Sequence, residues 1–153
     1  MTIQTITFTQ ATLETALQLA AAAHSGQKDK AGKPYILHPI RVMLTVKTSD
    51  ERITAVLHDT VEDTAITLED LVDAGFSDDI VGAVRALTKT AGENRIDAAK
   101  RAVKNSIARQ VKLADVADNM DLNRIPSPTT KDFARLEEYE RVRQILIDGE
   151  PLQ

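Results

Sequence analysis

No cysteine occurs among the 153 residues, which excludes disulfides, thiolate metal ligands and a thiol nucleophile in one step and fits a reducing compartment. Positive charge is in deficit: 19 Lys and Arg stand against 23 Asp and Glu, a net charge of -4. That balance leaves no overall basic field, so duplex nucleic acid is disfavoured as a partner, although Lys28, Lys30 and Lys33 form a local patch able to attract phosphate. Long apolar runs are missing too. The longest, around Leu17 to Ala23, is too short to span a bilayer, and Met1 to Thr5 carries neither a basic n-region nor an apolar h-region. The expectation is a cytoplasmic protein with no membrane partner. No internal repeat, low-complexity tract or interdomain linker is found. A chain of this length with 42% hydrophobic residues suits one core, so residues 1–153 read as a single domain.

Alternating period-2 patterns are confined to the first few residues, while apolar residues recur at helical spacing almost throughout. The fold class expected is therefore all-α, a helical bundle. Thr9 can cap a first helix with Leu13, Ala16, Leu17, Ala20 and Ala23 on one face, its alanine-rich end permitting close approach of a neighbour. Gly26, Gly32 and Pro34 then break into a loop, and Pro39 opens a second helix through Val42, Met43 and Val46. Asp50 is the expected cap of a third, with Ile53, Val56 and Leu57 buried and His58-Asp59 at its C-terminal end. Further helices are expected from Leu68 to Ala74, from a Ser77 or Asp78 cap through Leu87, from Asp97 to Val103, and, as a long helix ended by Pro126 and Pro128, from Ile107 through Val111, Leu113, Ala114, Ala117 and Met120. A last one, capped by Thr130, carries Phe133, Leu136, Val142, Ile145 and Leu146.

Against this ordinary background the run Leu57-His58-Asp59-Thr60-Val61-Glu62-Asp63-Thr64 stands out. Adjacent imidazole and carboxylate followed a turn later by two more carboxylates is a costly cluster. Imidazole nitrogen with carboxylate oxygen suits a divalent metal of the manganese, iron or cobalt type, with positions left for water and substrate. His58 and Asp59 supply one ligand of each kind, and His38 and Asp115 are the candidate donors of two more. Taken alone, His38 reads as a packed, hydrogen-bonded residue and Asp115 as a cap or a partner of Lys112. Jointly, a shared metal accounts for all four, because an unpaired carboxylate in the core-facing stretch around Asp115 is expensive. Glu62 or Asp63 can hold and deprotonate a water at that metal, the alternative being a solvated acidic turn. Lys28, Lys30 and Lys33, with Gly26 and Gly32, form a flexible cationic loop suited to phosphate. Asn119, one turn beyond Asp115, can donate to a sugar or phosphate oxygen or be a surface amide.

At these residues the chain resembles the HD-domain phosphohydrolases, and within them the hydrolase module of the RelA/SpoT group with its small stand-alone alarmone hydrolases. The matching blocks are Ala23 to Gln27, Gly32 to Pro39, Leu57 to Thr64, Ala86 to Lys89, and Val111 to Asp115 with Asn119-Met120. The resemblance implies an HD-type helical bundle in which His38, His58, Asp59 and Asp115 bind one metal, usually Mn2+, with Fe2+ or Co2+ as alternatives. It implies that Glu62 and Asp63 position or activate the attacking water and that Lys30 and Asn119 contact the nucleotide. It further implies removal of the 3′-pyrophosphate from a small-molecule nucleotide, (p)ppGpp or (p)ppApp, and a supporting role for His24 in the loop.

Two departures from the family pattern are expected to fall on the nucleotide side rather than the metal. Asp29 stands where an arginine is usual, and Val116 follows Asp115 where another arginine is usual, with Asp118 before Asn119. The base, guanine or adenine, is left open by them, as is assembly into a homo-oligomer. Competing readings are a phosphohydrolase acting on an NADPH-type cofactor or a nucleoside monophosphate, and a catalytically silent alarmone-binding module. The silent module predicts loss of a metal ligand or of Glu62-Asp63, and none is lost.

Overall fold

The computed structural model describes residues 10–149, and among them there is no β-strand, only an isolated antiparallel bridge between Lys28 and Pro34. The helices are α1 (Leu13–Ala23), α2 (Leu37–Thr45), α3 (Ser49–Leu57), α4 (Thr60–Asp63), α5 (Leu68–Asp73), α6 (Asp78–Leu87), α7 (Arg95–Ala102), α8 (Ser106–Asn119) and α9 (Thr130–Asp148), with a 3-10 turn at Leu122–Arg124. The all-α expectation holds over the described residues.

Helix starts follow a side-chain rule that moves several expected caps. A threonine whose hydroxyl accepts from the third helical N–H, while an acid at that position accepts from the threonine's own N–H, satisfies two orphan donors at once. Thr48 with Glu51 and Thr129 with Asp132 do this, so they cap α3 and α9 in place of Asp50 and Thr130, which lie inside the first turns. A cap of this kind is worth about 1 kcal/mol. Thr12 caps α1, and the expected cap Thr9 lies outside the described residues. Ser77 caps α6. Pro39 sits within the first turn of α2, which begins at Leu37.

Helix α3 is central and packs against α1, α2, α6 and α8, while α9 covers α7 and α8. One apolar cluster joins Ala16 and Ala20 of α1 to Val56, Leu57, Leu71, Ile80 and Val84; a second joins Val42 and Ala55 to Ala83, Ala108, Val111 and Ala114. Fully buried alanines on α1 and α8 allow the close helix approach that α3 needs. A third cluster holds Val116 against Ala99, Val142 and Leu146. Phe133, expected on the buried face of α9, is 54% exposed, and Ala117 also faces outward.

Arg101 ties the end of α6 to α7. Its guanidinium donates to the carbonyls of Arg85, Ala86 and Thr88 and, at 3.0 and 2.8 Å, to both carboxylate oxygens of Glu93. The hydrogen bonds from Arg101 hold the Glu93 carboxyl down at about 2, from an ordinary 4.5. A lowered folded-state value means stability that is complete above the ordinary value and is lost as pH falls through the folded one. Glu93→Gln should therefore unfold at a lower temperature than the parent at neutral pH, and the two melting points should converge as pH is taken down to about 2. A gap independent of pH would show that this ion pair contributes nothing.

Candidate metal and nucleotide site

His38 enters the bundle from the first turn of α2, His58 from the C-cap of α3, Asp59 from the N-cap of α4 and Asp115 from the middle of α8. All four point to one place. His38 Nε2 lies 2.8 Å and His58 Nε2 3.3 Å from Asp115 Oδ1, and Asp59 Oδ2 lies 3.1 Å from His58 Nε2 and 3.7 Å from His38 Nε2. Among the described residues His38, His58 and Asp115 offer ligand atoms within 4.8 Å of one another, and all three are buried.

The outward-facing nitrogens fix the tautomers. His58 Nδ1 meets the Ala55 carbonyl at 2.5 Å, and His38 Nδ1 meets Asp118 Oδ2 at 2.6 Å. An Nδ1–H donated outward leaves a neutral imidazole with its Nε2 lone pair turned inward, which is how metal-binding histidines are held. Here that lone pair faces carboxylate oxygens, so charge balance requires either protons on Nε2 or a cation at the centre. Burial lowers the affinity of both imidazoles for protons, but the surrounding carboxylates outweigh it: Asp115 and Asp118 raise His38, and Asp59 and Asp115 raise His58 well above its ordinary value. For Asp115 burial pushes the carboxyl up, yet Lys112 and the two histidines hold it well below the usual range. Two imidazole nitrogens and two carboxylate oxygens are a donor set that fits a divalent first-row metal.

Surrounding residues complete the cluster's hydrogen bonding. Lys112 Nζ donates to Asp115 Oδ2 at 2.8 Å, so the lysine pairing that reads as an alternative in the sequence coexists with the histidine contacts. Asn119 Nδ2 donates to Asp115 Oδ1 at 3.2 Å. The Tyr35 hydroxyl donates to Asp59 Oδ2, and burial together with Asp59 pushes its phenol far up, keeping it a donor. Asp118 is gripped by Arg41 through Nε at 2.8 Å and Nη2 at 3.1 Å. The sequence pattern assigns no role to Tyr35 or Arg41 and sets Asp118 on the nucleotide side, whereas it meets His38. Helical spacing held the signal for two of them, since Arg41 follows His38 and Asp118 follows Asp115 by a single turn.

Glu62 and Asp63 occupy α4 and are exposed; among the described residues no hydrogen bond joins their carboxylates to the cluster. Burial first, then Asp63 and Asp59, raises Glu62, and burial with Asp59 raises Asp63. The Asp63 carbonyl accepts from Gln27, whose own Oε1 lies 2.8 Å from His24 Nδ1, so His24 braces the loop through Gln27.

A cavity of about 260 Å3 opens beside His38, lined by Lys28, Lys30, Tyr35 and Asn119 together with Arg124 and Tyr139. The loop expected to be flexible is a pinned hairpin. Asp29 Oδ1 accepts from the N–H of Ala31 and of Lys33, both at 2.9 Å, and Gly32 turns the chain at φ 79. Lys30 lines the cavity with its ammonium 3.0 Å from Asp132, whereas Lys33 is not among the lining residues. The departures divide differently from expectation. Asp29 lines the cavity, but Val116 is buried in the third apolar cluster because its side of α8 faces α7 and α9, and Asp118 contacts the histidine His38.

The family model for the HD domain matches residues 16–147. The chain belongs to the HD-domain family. The protein is 33% identical over 146 residues to the guanosine-3′,5′-bis(diphosphate) 3′-pyrophosphohydrolase MESH1 of Drosophila melanogaster, covering 87% of this chain and 81% of that one. It is 36% identical over 139 residues to MESH1 of Mus musculus, covering 81% and 76%. A solved structure of a metazoan ortholog of SpoT that hydrolyses ppGpp superposes with a TM-score of 0.73 at 29% identity, over 94% of this HD-domain chain and 87% of the other.

Asp118 is the outward partner of His38, and such partners carry about 10- to 100-fold in metal affinity. Asp118→Asn should lower the affinity for Mn2+ by about that factor in calorimetric titration. Unchanged affinity would show that His38 is oriented by something else.

Proposed function

We propose that this HD-domain protein is a divalent-metal-dependent hydrolase that removes the 3′-pyrophosphate from (p)ppGpp, acting as one domain in the cytoplasm on a small-molecule nucleotide. The observation that carries the proposal is the buried cluster of His38, His58, Asp59 and Asp115 beside a cationic cavity, in a chain similar over most of its length to ppGpp hydrolases. Mn2+ is the ion proposed, with Fe2+ or Co2+ sharing the same ligand preferences.

His38, His58, Asp59 and Asp115 would hold the ion, the two imidazoles through the nitrogens that face the cluster. Lys112 neutralises the second oxygen of Asp115. When bound, the ion supplies Lewis acidity toward a phosphoryl oxygen and makes water a nucleophile at neutral pH. Glu62 and Asp63 orient the attacking water and accept its proton; their raised proton affinity brings them nearer the working pH, where a general base is most effective. Lys28 and Lys30 draw in the phosphates, Lys30 exchanging Asp132 for the nucleotide, and Asn119 donates to the nucleotide beside the cluster. Water adds across the bond between ribose O3′ and the first phosphorus. GDP or GTP leaves with a free 3′-hydroxyl, and pyrophosphate is released.

A product assay with Mn2+ should show stoichiometric GDP and pyrophosphate from ppGpp. Glu62→Gln should keep Mn2+ affinity and lose about 10²- to 10⁴-fold in kcat. No pyrophosphate from the parent protein, or a full rate in Glu62→Gln, would defeat the proposal.

A further inference from the structure

Arg124, in the 3-10 turn after α8, brings a guanidinium to the nucleotide cavity beside Asp29 of the lysine hairpin. It is 24% exposed, yet among the described residues its guanidinium makes a single hydrogen bond, from Nη2 to the Asp118 carbonyl at 2.8 Å. Its Nε is buried without an acceptor, and Nη1 stands 3.9 Å from Asp29 Oδ2, beyond hydrogen-bond reach. Two carboxylates hold it in place from either side without saturating it: Asp29, whose other oxygen is committed to the hairpin backbone, and Asp118, whose Oδ2 lies 3.5 Å from Nη2. Leu122 and Ile125 flank it in the chain and line the same cavity with Tyr139, adding apolar surface beside the guanidinium. The ammonium groups of the cavity lie instead on the hairpin.

A guanidinium with unused donors on a rigid planar fork, set among apolar side chains, is built for two adjacent acceptors on a flat ring. Guanine presents such a pair in O6 and N7. Adenine presents N7 beside an N6 amino group, which opposes an N–H donor. We propose that Arg124 recognises the guanine edge of the nucleotide and makes the enzyme select guanine over adenine. The inference rests on the alarmone-hydrolase reading above, and it assigns Asp29 and Asp118 the task of orienting the guanidinium. A glutamine at this place reverses the match, since its carbonyl accepts from N6 and its amide donates to N7.

The test is kcat/KM for ppGpp and for its adenine counterpart in the parent protein, Arg124→Ala and Arg124→Gln, with Mn2+ affinity measured in each. The ratio of the two values is the readout, because a general loss of folding, metal or phosphate binding lowers both together. The parent should favour guanine by about tenfold or more, Arg124→Ala should remove most of that preference, and Arg124→Gln should shift it toward adenine. A parent that prefers adenine or shows no preference, or variants in which the ratio stays constant, overturns the role of Arg124 while leaving the hydrolase reading standing. A parent that turns over neither nucleotide overturns both.

Discussion

One carboxylate oxygen carries the centre of this molecule. Asp115 Oδ1 is approached by an imidazole nitrogen from α2, another from α3 and the Asn119 amide from its own helix, at 2.8, 3.3 and 3.2 Å. Asp115 is 4% exposed, and an ionised carboxylate at that depth has to be matched by positive charge or it destabilises the fold. Lys112 answers one oxygen from the helix surface; the histidines, with protons or around a cation, answer the other. The helices that carry these groups are those whose small residues let them pack closely, Ala55 of α3 against Ala108, Val111 and Ala114 of α8. Ala55 also gives the carbonyl that fixes the His58 ring, so the apolar contact and the ligand orientation are made by one residue.

From that centre a line of charges runs to the cavity wall. His38 leans on Asp118, Asp118 on Arg41 and Arg124, and Arg124 stands beside Asp29 at the cavity wall. Opposite charges alternate along it, so each group is stabilised by the next. The hairpin is joined to α9 in the same way, Lys30 meeting the Asp132 that also completes the cap of that helix. In the proposed mechanism the metal ligands and the nucleotide contacts are parts of one network, and a charge removed at Asp118 is felt at both.

Much of this was legible in the chain. The His58-Asp59 pair at a helix end, His38 before a proline and Asp115 in a core-facing stretch are local patterns, and the structure brings all of them together. Helix existence was legible because the apolar spacing is strong; the caps were displaced by one or two residues because the threonine-to-acid reciprocity at Thr48-Glu51 and Thr129-Asp132 outweighs a lone aspartate or the second threonine. Partnerships between distant segments were not legible. Nothing local says that Asp118 meets a histidine 80 positions away, that Tyr35 meets Asp59, or that Arg124 stands beside Asp29. Val116 illustrates the opposite error: the substitution pattern suggests a site, while burial against Val142 and Leu146 explains it as packing.

The central claim is that the two inward-facing imidazole nitrogens and the two aspartates form a site for a single divalent ion. Pulsed electron paramagnetic resonance of the protein loaded with an equivalent of Mn2+ tests it most directly, because directly bound imidazole nitrogens modulate the manganese echo. The account predicts couplings from two such nitrogens, with one of them lost in His38→Ala. A bound ion showing only water and carboxylate oxygen, or no bound ion at all, would contradict it.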